Sequence, residues 1–169
     1  FFFAKINGTL DLTEFNTSSV TDMTQMFMVT SANNIDFGGN FNTSNVNTMR
    51  NMFSDSNIPD LNLTSFDTRN VTTMYGMFYG AGSQSIDFSS FNTSSLTNVS
   101  MMFINANSIS TVDLSSFDFS KVDSSLSYTH NSMLASTSLR NVYFKDNTAS
   151  RNLATALTKS NSTFTISFK

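Results

Sequence analysis

Two rhythms of apolar and polar positions succeed each other along the chain and then start again. Leu10-Asp11-Leu12, Ile35-Asp36-Phe37, Leu61-Asn62-Leu63, Ile86-Asp87-Phe88 and Val112-Asp113-Leu114 each set an apolar pair around one polar residue. That alternation is the signature of a strand with one buried face. A few residues later comes a second phrase: Phe15-Asn16-Thr17-Ser18-Ser19-Val20, Phe41-Asn42-Thr43-Ser44-Asn45-Val46, Phe66-Asp67-Thr68-Arg69-Asn70-Val71 and Phe91-Asn92-Thr93-Ser94-Ser95-Leu96. Each runs on into one apolar set: Val20, Met23, Met26 and Phe27, then Val46, Met49, Met52 and Phe53, then Val71, Met74, Met77 and Phe78, then Leu96, Val99, Met102 and Phe103. At about 100° per residue these positions share an arc of about 120°, so the spacing predicts a short helical turn with its Met/Phe face inward. The Thr/Ser/Asn cluster before it is expected to cap the free N–H groups of that turn.

The unit recurs about every 25 residues, and a fifth copy begins at Phe117-Asp118-Phe119-Ser120-Lys121-Val122 before degrading. A single unit leaves its apolar face uncovered, so neighbours must stack on one another. The phrase Ile109-x-x-Val112-x-Leu114, echoed at Ile58-x-x-Leu61-x-Leu63 and Leu139-x-x-Val142-x-Phe144, has the shape of a leucine-rich repeat. The expected fold is therefore α/β: a leucine-rich-repeat solenoid with a parallel concave sheet and short helical turns on the convex side. Phe15, Phe66, Phe91 and Phe117 stand where the general pattern has Asn, which predicts a stacked Phe spine. Phe37-Gly38-Gly39-Asn40-Phe41 is one residue longer than its counterparts and reads as a local bulge. About five rungs fill residues 1–122. Residues 123–169 read as degenerate last rungs and a C-terminal cap of the same domain, with a strand at Leu139–Phe144, a helix at Ser150–Thr158 and a last strand at Phe164–Phe168. Phe1-Phe2-Phe3 is expected to be exposed unless it folds over the first rung, as in a fragment of a longer protein.

Composition sharpens this picture. Only 12% of the 169 residues are charged and about four in ten are Ser, Thr or Asn, yet 18 Phe and 10 Met supply the apolar volume that a disordered chain lacks. There is no Cys, which excludes disulfides, thiol catalysis and Cys-based zinc sites. The net charge of −3 argues against nucleic-acid binding. Residues 1–119 carry 10 acids and 3 bases, whereas residues 120–169 carry 2 acids and 6 bases. No apolar run approaches the length of a membrane span.

The unit Ile86-Asp87-Phe88-Ser89-Ser90-Phe91-Asn92-Thr93-Ser94-Ser95-Leu96-Thr97-Asn98-Val99-Ser100-Met101-Met102-Phe103 resembles the tandem repeat of BspA-like leucine-rich-repeat surface proteins of bacteria. The resemblance covers roughly residues 7–122. It implies an extracellular protein of the bacterial cell surface, a monomeric fragment of a larger anchored chain, that acts as a non-enzymatic adhesin for host glycan, mucin or matrix protein. A structural spacer or stalk with no ligand of its own is the alternative.

Alternation turns the strands into a surface expectation. Asp11, Asp36, Asp60, Asn62, Asp87, Asp113 and Tyr143 point outward and form the candidate ligand face. Asp11 over Asp36, and Asp87 over Asp113, would stand about 4.8 Å apart and repel by about 1 kcal/mol in water. Relief would come from hydroxyls, raised pKa values, a bound cation or a basic partner. No cofactor is implied; Ca²⁺ is a lesser reading, because no calcium-loop motif accompanies the carboxylates. His130, the one histidine, can be drawn into a triad with Ser132 and Asp123 or Asp146, but no nucleophile elbow or oxyanion loop surrounds it. The Met pairs, Met49/Met52 and Met74/Met77, read as core. The N-x-[ST] sequons are no more than this composition produces.

Overall fold

A computed structural model of the chain describes residues 1–130, 132–136, 138–158 and 164–169. The fold is mixed, with short parallel strands in two sheets and few helices. β1 (Thr9–Asp11) pairs with β2 (Asn34–Asp36). A second sheet has the order β3 (Thr111–Leu114), β4 (Asn141–Phe144), β5 (Thr165–Phe168), all parallel. Among the described residues, one α-helix, α1 (Thr148–Thr158), lies between β4 and β5, and one 3₁₀ turn occupies Ser127–Thr129. The C-terminal elements thus fall where the Leu/Phe patterns place them. α1 buries Leu153 and Leu157, and Asn147 caps it by accepting the N–H of Ser150 at 2.8 Å. The part of the expected C-terminal cap at residues 159–163, between helix and last strand, lies outside the described residues.

The helical turns expected after each Phe-Asn-Thr phrase are absent. In their place the N–H groups of Met23, Gln25, Phe27 and Val29 donate to the carbonyls of Thr48, Arg50, Met52 and Ser54 in the following repeat, at 2.8–3.1 Å. Met49, Asn51, Phe53 and Asp55 bond Thr73, Tyr75, Met77 and Tyr79 in the same register, and Met74, Gly76, Phe78 and Gly80 bond Asn98, Ser100, Met102 and Ile104. The intervening N–H groups close tight turns: Met26 onto Met23 and Thr30 onto Phe27. The third residue of each turn has a positive φ, 59° at Gln25 and 57° at Val29, as a type II turn requires. Backbone bonds that a helix would spend within itself instead join one repeat to the next. The inward set is still the one the spacing identified: Met23, Phe27, Met49, Met52, Phe53, Met74, Met77, Phe78, Met102 and Phe103 are buried.

Stacking along this side is close. The rings of Phe27 and Phe53, Phe53 and Phe78, and Phe78 and Phe103 lie 5.3, 5.8 and 5.6 Å apart and within 12° of parallel. Phe1 continues the column, stacked on Phe27 at 5.7 Å, and the N–H of Phe3 bonds Met28 in the register that Val29 keeps with Ser54. The most regular Phe column is therefore the one in the turns. The expected spine forms in part: Phe66, Phe91 and Phe117 are buried, whereas Phe15 is 46% exposed.

A second column is polar. Thr17, Thr43, Thr68 and Thr93 are buried, and their hydroxyls donate to the carbonyls of Asn42, Asp67, Asn92 and Asp118 of the next repeat. The hydroxyls of Thr17, Thr43 and Thr93 also accept the N–H of that same residue. The threonines expected to cap helices thus act as cross-links, satisfying backbone groups that burial would otherwise orphan.

The strand side is less continuous. Leu61-Asn62-Leu63 and Ile86-Asp87-Phe88 keep the inward and outward alternation but form no ladder; Asn34 and Asp60 make a single bridge. Pro59 stands at the repeat position of Asn33, whose N–H opens the β1–β2 ladder by bonding Gly8, and Pro has no N–H to give. The extra residue of the second repeat is absorbed at Gly38, where φ is +59° and an added Cβ would come 2.6 Å from the Cα of Thr13.

Candidate functional site

The outward face of the strands collects the residues singled out from the sequence. Asp11, Asp36, Asp60, Asn62, Asp87 and Asp113 are exposed and Tyr143 is half-exposed. Asp11 and Asp36 are register partners across β1 and β2, as expected. Asp87 and Asp113 are not paired in a ladder: the register partner of Asp113 is Tyr143. Asp87 and Asp113 instead face a cleft of about 270 Å³ whose walls include Phe88, Ser89, Ser115 and Ser116. A second cleft, of about 300 Å³, lies between the 119–124 loop and α1 and is lined by Lys121, Asp123, Ala149 and Asn152 among others.

Most of these outward side chains have a local task. Oδ1 of Asp11 accepts the N–H and the hydroxyl of Thr13 at 2.9 and 2.8 Å. Asn62 does the same with Thr64, while Asp36, Asp87 and Asp113 accept the N–H of Gly38, Ser89 and Ser115 at 2.8–3.0 Å. These are Asx turns, in which a short side chain imitates the next backbone carbonyl. The motif recurs at two further corners of the repeat. Asn16, Asn42, Asp67, Asn92 and Asp118 bond the residue two further on, and so do Asp22, Asn98 and Asp123. Thr48 and Thr73 make the equivalent turn through their hydroxyls.

These donors decide the electrostatics. The backbone N–H and then the hydroxyl of Thr13 hold the Asp11 carboxyl below its ordinary value, and those of Ser89 do so for Asp87. At Asp113 partial burial pushes upward, but the bonds from Lys169 and Ser115 together outweigh it and the net shift is down. The repulsion within the face is therefore relieved by hydrogen bonds, and these three carboxyls titrate low; the raised values offered as one form of relief do not occur at them. One oxygen of each of Asp11, Asp36 and Asp87 has no hydrogen-bond partner among the described residues.

Sequence reasoning missed one contact. The ammonium of Lys169 lies 2.8 Å from Oδ2 of Asp113 and 3.9 Å from the centre of the Tyr143 ring. A parallel last strand one rung beyond Tyr143 is the available signal, since it carries Lys169 to the height of that ring.

Elsewhere, His130 is buried, and desolvation pushes its pKa below the ordinary value despite the nearby Asp123 charge. Among the described residues no three His, Asp or Glu side chains come together as metal ligands. No described helix is long and apolar enough to cross a membrane.

The molecule belongs to a class of repeat proteins in which tight turns, buried threonines and short parallel strands join successive copies of one unit. The chain is a member of the family described as "Mycoplasma protein of unknown function, DUF285", whose model matches residues 1–117 and 33–147. That membership is compatible with the resemblance to BspA-like repeat proteins. No curated protein and no solved structure matches the chain.

Proposed function

We propose that this chain is a solenoid segment of a bacterial cell-surface adhesin of the BspA-like kind, and that it binds host matrix protein, mucin or glycan through the outward, acidic face of its strands. The one observation that carries the reading is the row of carboxylates. Asp11, Asp36, Asp87 and Asp113 are each oriented by an Asx turn, and the first three keep an oxygen without a partner among the described residues. The solenoid reading is supported by hydrogen bonds that keep one register, 24 or 25 residues, over three successive junctions. A row of pre-oriented acceptors loses little freedom on binding, and weak contacts accumulate when a surface protein is displayed in many copies. No reaction is proposed.

The Asx turns also favour a second reading. If the carboxylates serve only their turns, the segment is a spacer that projects another domain. A binding screen against mucin, matrix proteins and glycans, run at about 50 and about 300 mM salt, separates the two. Adhesion predicts at least one saturable partner whose binding falls when Asp36, Asp60, Asp87 and Asp113 are replaced by Asn. A spacer binds none of them.

A further inference from the structure

We infer that the acidic strand face receives the lysine or arginine side chains of a cationic polypeptide, and that Lys169 occupies one of its ammonium seats from within the chain. The inference rests on the adhesion reading for the choice of face and adds the chemical class of the partner. Asp113 and Tyr143 are register partners on β3 and β4, so a carboxylate and an aromatic ring stand side by side on the outward surface. The Lys169 ammonium sits against both, 2.8 Å from Asp113 Oδ2 and 3.9 Å from the ring centre. Its own N–H is tied to the carbonyl of Phe144 at 2.9 Å, which fixes the approach of the side chain. A carboxylate beside a ring face suits an ammonium through a charge-assisted hydrogen bond and a cation–π contact together.

Next to this seat is the cleft of about 270 Å³ between Asp87 and Asp113. Oδ1 of Asp87 is taken by the N–H of Ser89, leaving its second oxygen for a donor from outside. A partner's basic side chain would enter beside Asp87 and compete with Lys169 for Asp113. The outward, exposed Asp11, Asp36 and Asp60 extend the match along the face beyond Asp87 and Asp113, in favour of a basic segment over a neutral glycan.

The test is fluorescence anisotropy of a labelled oligolysine peptide, with a labelled neutral dextran oligosaccharide in parallel, against the whole chain and its Lys169→Ala, Asp87→Asn and Asp113→Asn/Tyr143→Ala variants. Melting curves by circular dichroism check folding. Lys169→Ala should bind oligolysine about threefold to tenfold more tightly, the worth of one exposed ion pair and one exposed cation–π contact. Asp87→Asn should weaken it by a similar factor, and binding should fall steeply between about 50 and about 300 mM salt. If the double variant does not fold, the two single changes at exposed positions decide alone. The inference is overturned if Lys169→Ala binds oligolysine no better than the parent, if oligolysine does not bind, or if only the dextran binds, without regard to salt or Lys169. Oligolysine binding that obeys these rules in a chain that adheres to no mucin, matrix protein or cell would leave the inference standing and remove the adhesion reading. Adhesion that ignores Lys169 and Asp87 would do the reverse.

Discussion

The stretch from Val20 to Ala106 and the stretch from Ile109 to Lys169 hold successive repeats together by opposite halves of the unit. In the first, continuity runs along the turns: four backbone bonds cross each junction from Met23 to Ile104, stacked Phe rings lie beneath them, and the strand segments at 61–63 and 86–88 carry no ladder. In the second, the strands β3, β4 and β5 form a continuous ladder, while the turn side keeps two bonds, from the N–H of Phe103 to Met133 and from that of Asn105 to Ala135, before α1 fills the connection between β4 and β5. Spacing explains the contrast. Met23, Met49, Met74 and Val99 keep 25 or 26 residues between them, which lets the turn-side bonds repeat in one register, whereas 30 residues separate Val112 from Val142 and the strands pair across that longer interval with the extra residues in the connection. The tight, repetitive part is therefore the turn side.

Changes that attack the turn-side column should be the most damaging. Phe78→Ala removes a fully buried ring stacked on both neighbours and is expected to cost about 3–5 kcal/mol in denaturant unfolding. The equivalent truncation at exposed Phe15 should cost far less. Thr43→Val keeps shape but orphans the N–H and C=O of Asp67, so a loss of about 2–3 kcal/mol is expected from the same measurement.

Two replacements should stabilise. Val29 is β-branched at φ 57°, and Val29→Gly, matching Gly80 at the same repeat position, should gain about 1 kcal/mol. Ser56 has a buried hydroxyl with no partner where the next two repeats carry Ala81 and Ala106; Ser56→Ala should gain about 1 kcal/mol or less.

Acid should weaken the fold in one direction. His130 titrates below its ordinary value when folded, so the unfolded chain binds more protons as pH falls below about 6.5 and stability declines from there. The lowered carboxyls at Asp11, Asp87 and Asp118 contribute stability above their ordinary range, and that contribution is lost as pH falls through about 4 and below. Melting temperatures of the parent and His130→Gln at pH 7 and pH 5.5 should converge or cross, the variant losing less.

Much of this is legible in the sequence, and the misses have physical causes. The repeat, its inward residues and the C-terminal strand, helix and strand follow from spacing alone. The turns between do not, because the positions Val20, Met23, Met26 and Phe27 suit a helix face and a pair of type II turns equally. Gly76 and Gly80, with Asn51, Asp55 and Asn105 at matching positions, are the discriminating sign, since two αL residues four apart cannot sit in a helix. Likewise Asp11-Leu12-Thr13 and Asp87-Phe88-Ser89 read as a ligand face although Asp-x-Ser/Thr is also an Asx-turn phrase. The buried threonines read as caps because their true partners lie 24 or 25 residues away.

Asn62 shows how to separate the two roles of the outward acids, since it makes the same turn as Asp11 without charge. The most direct test is a chain with Asp11, Asp36, Asp87 and Asp113 all replaced by Asn, measured for melting temperature and for binding to the partner found in the screen. The expected result is a melting temperature within a few degrees of the parent together with loss of binding. A folded variant that binds as the parent does would contradict the account.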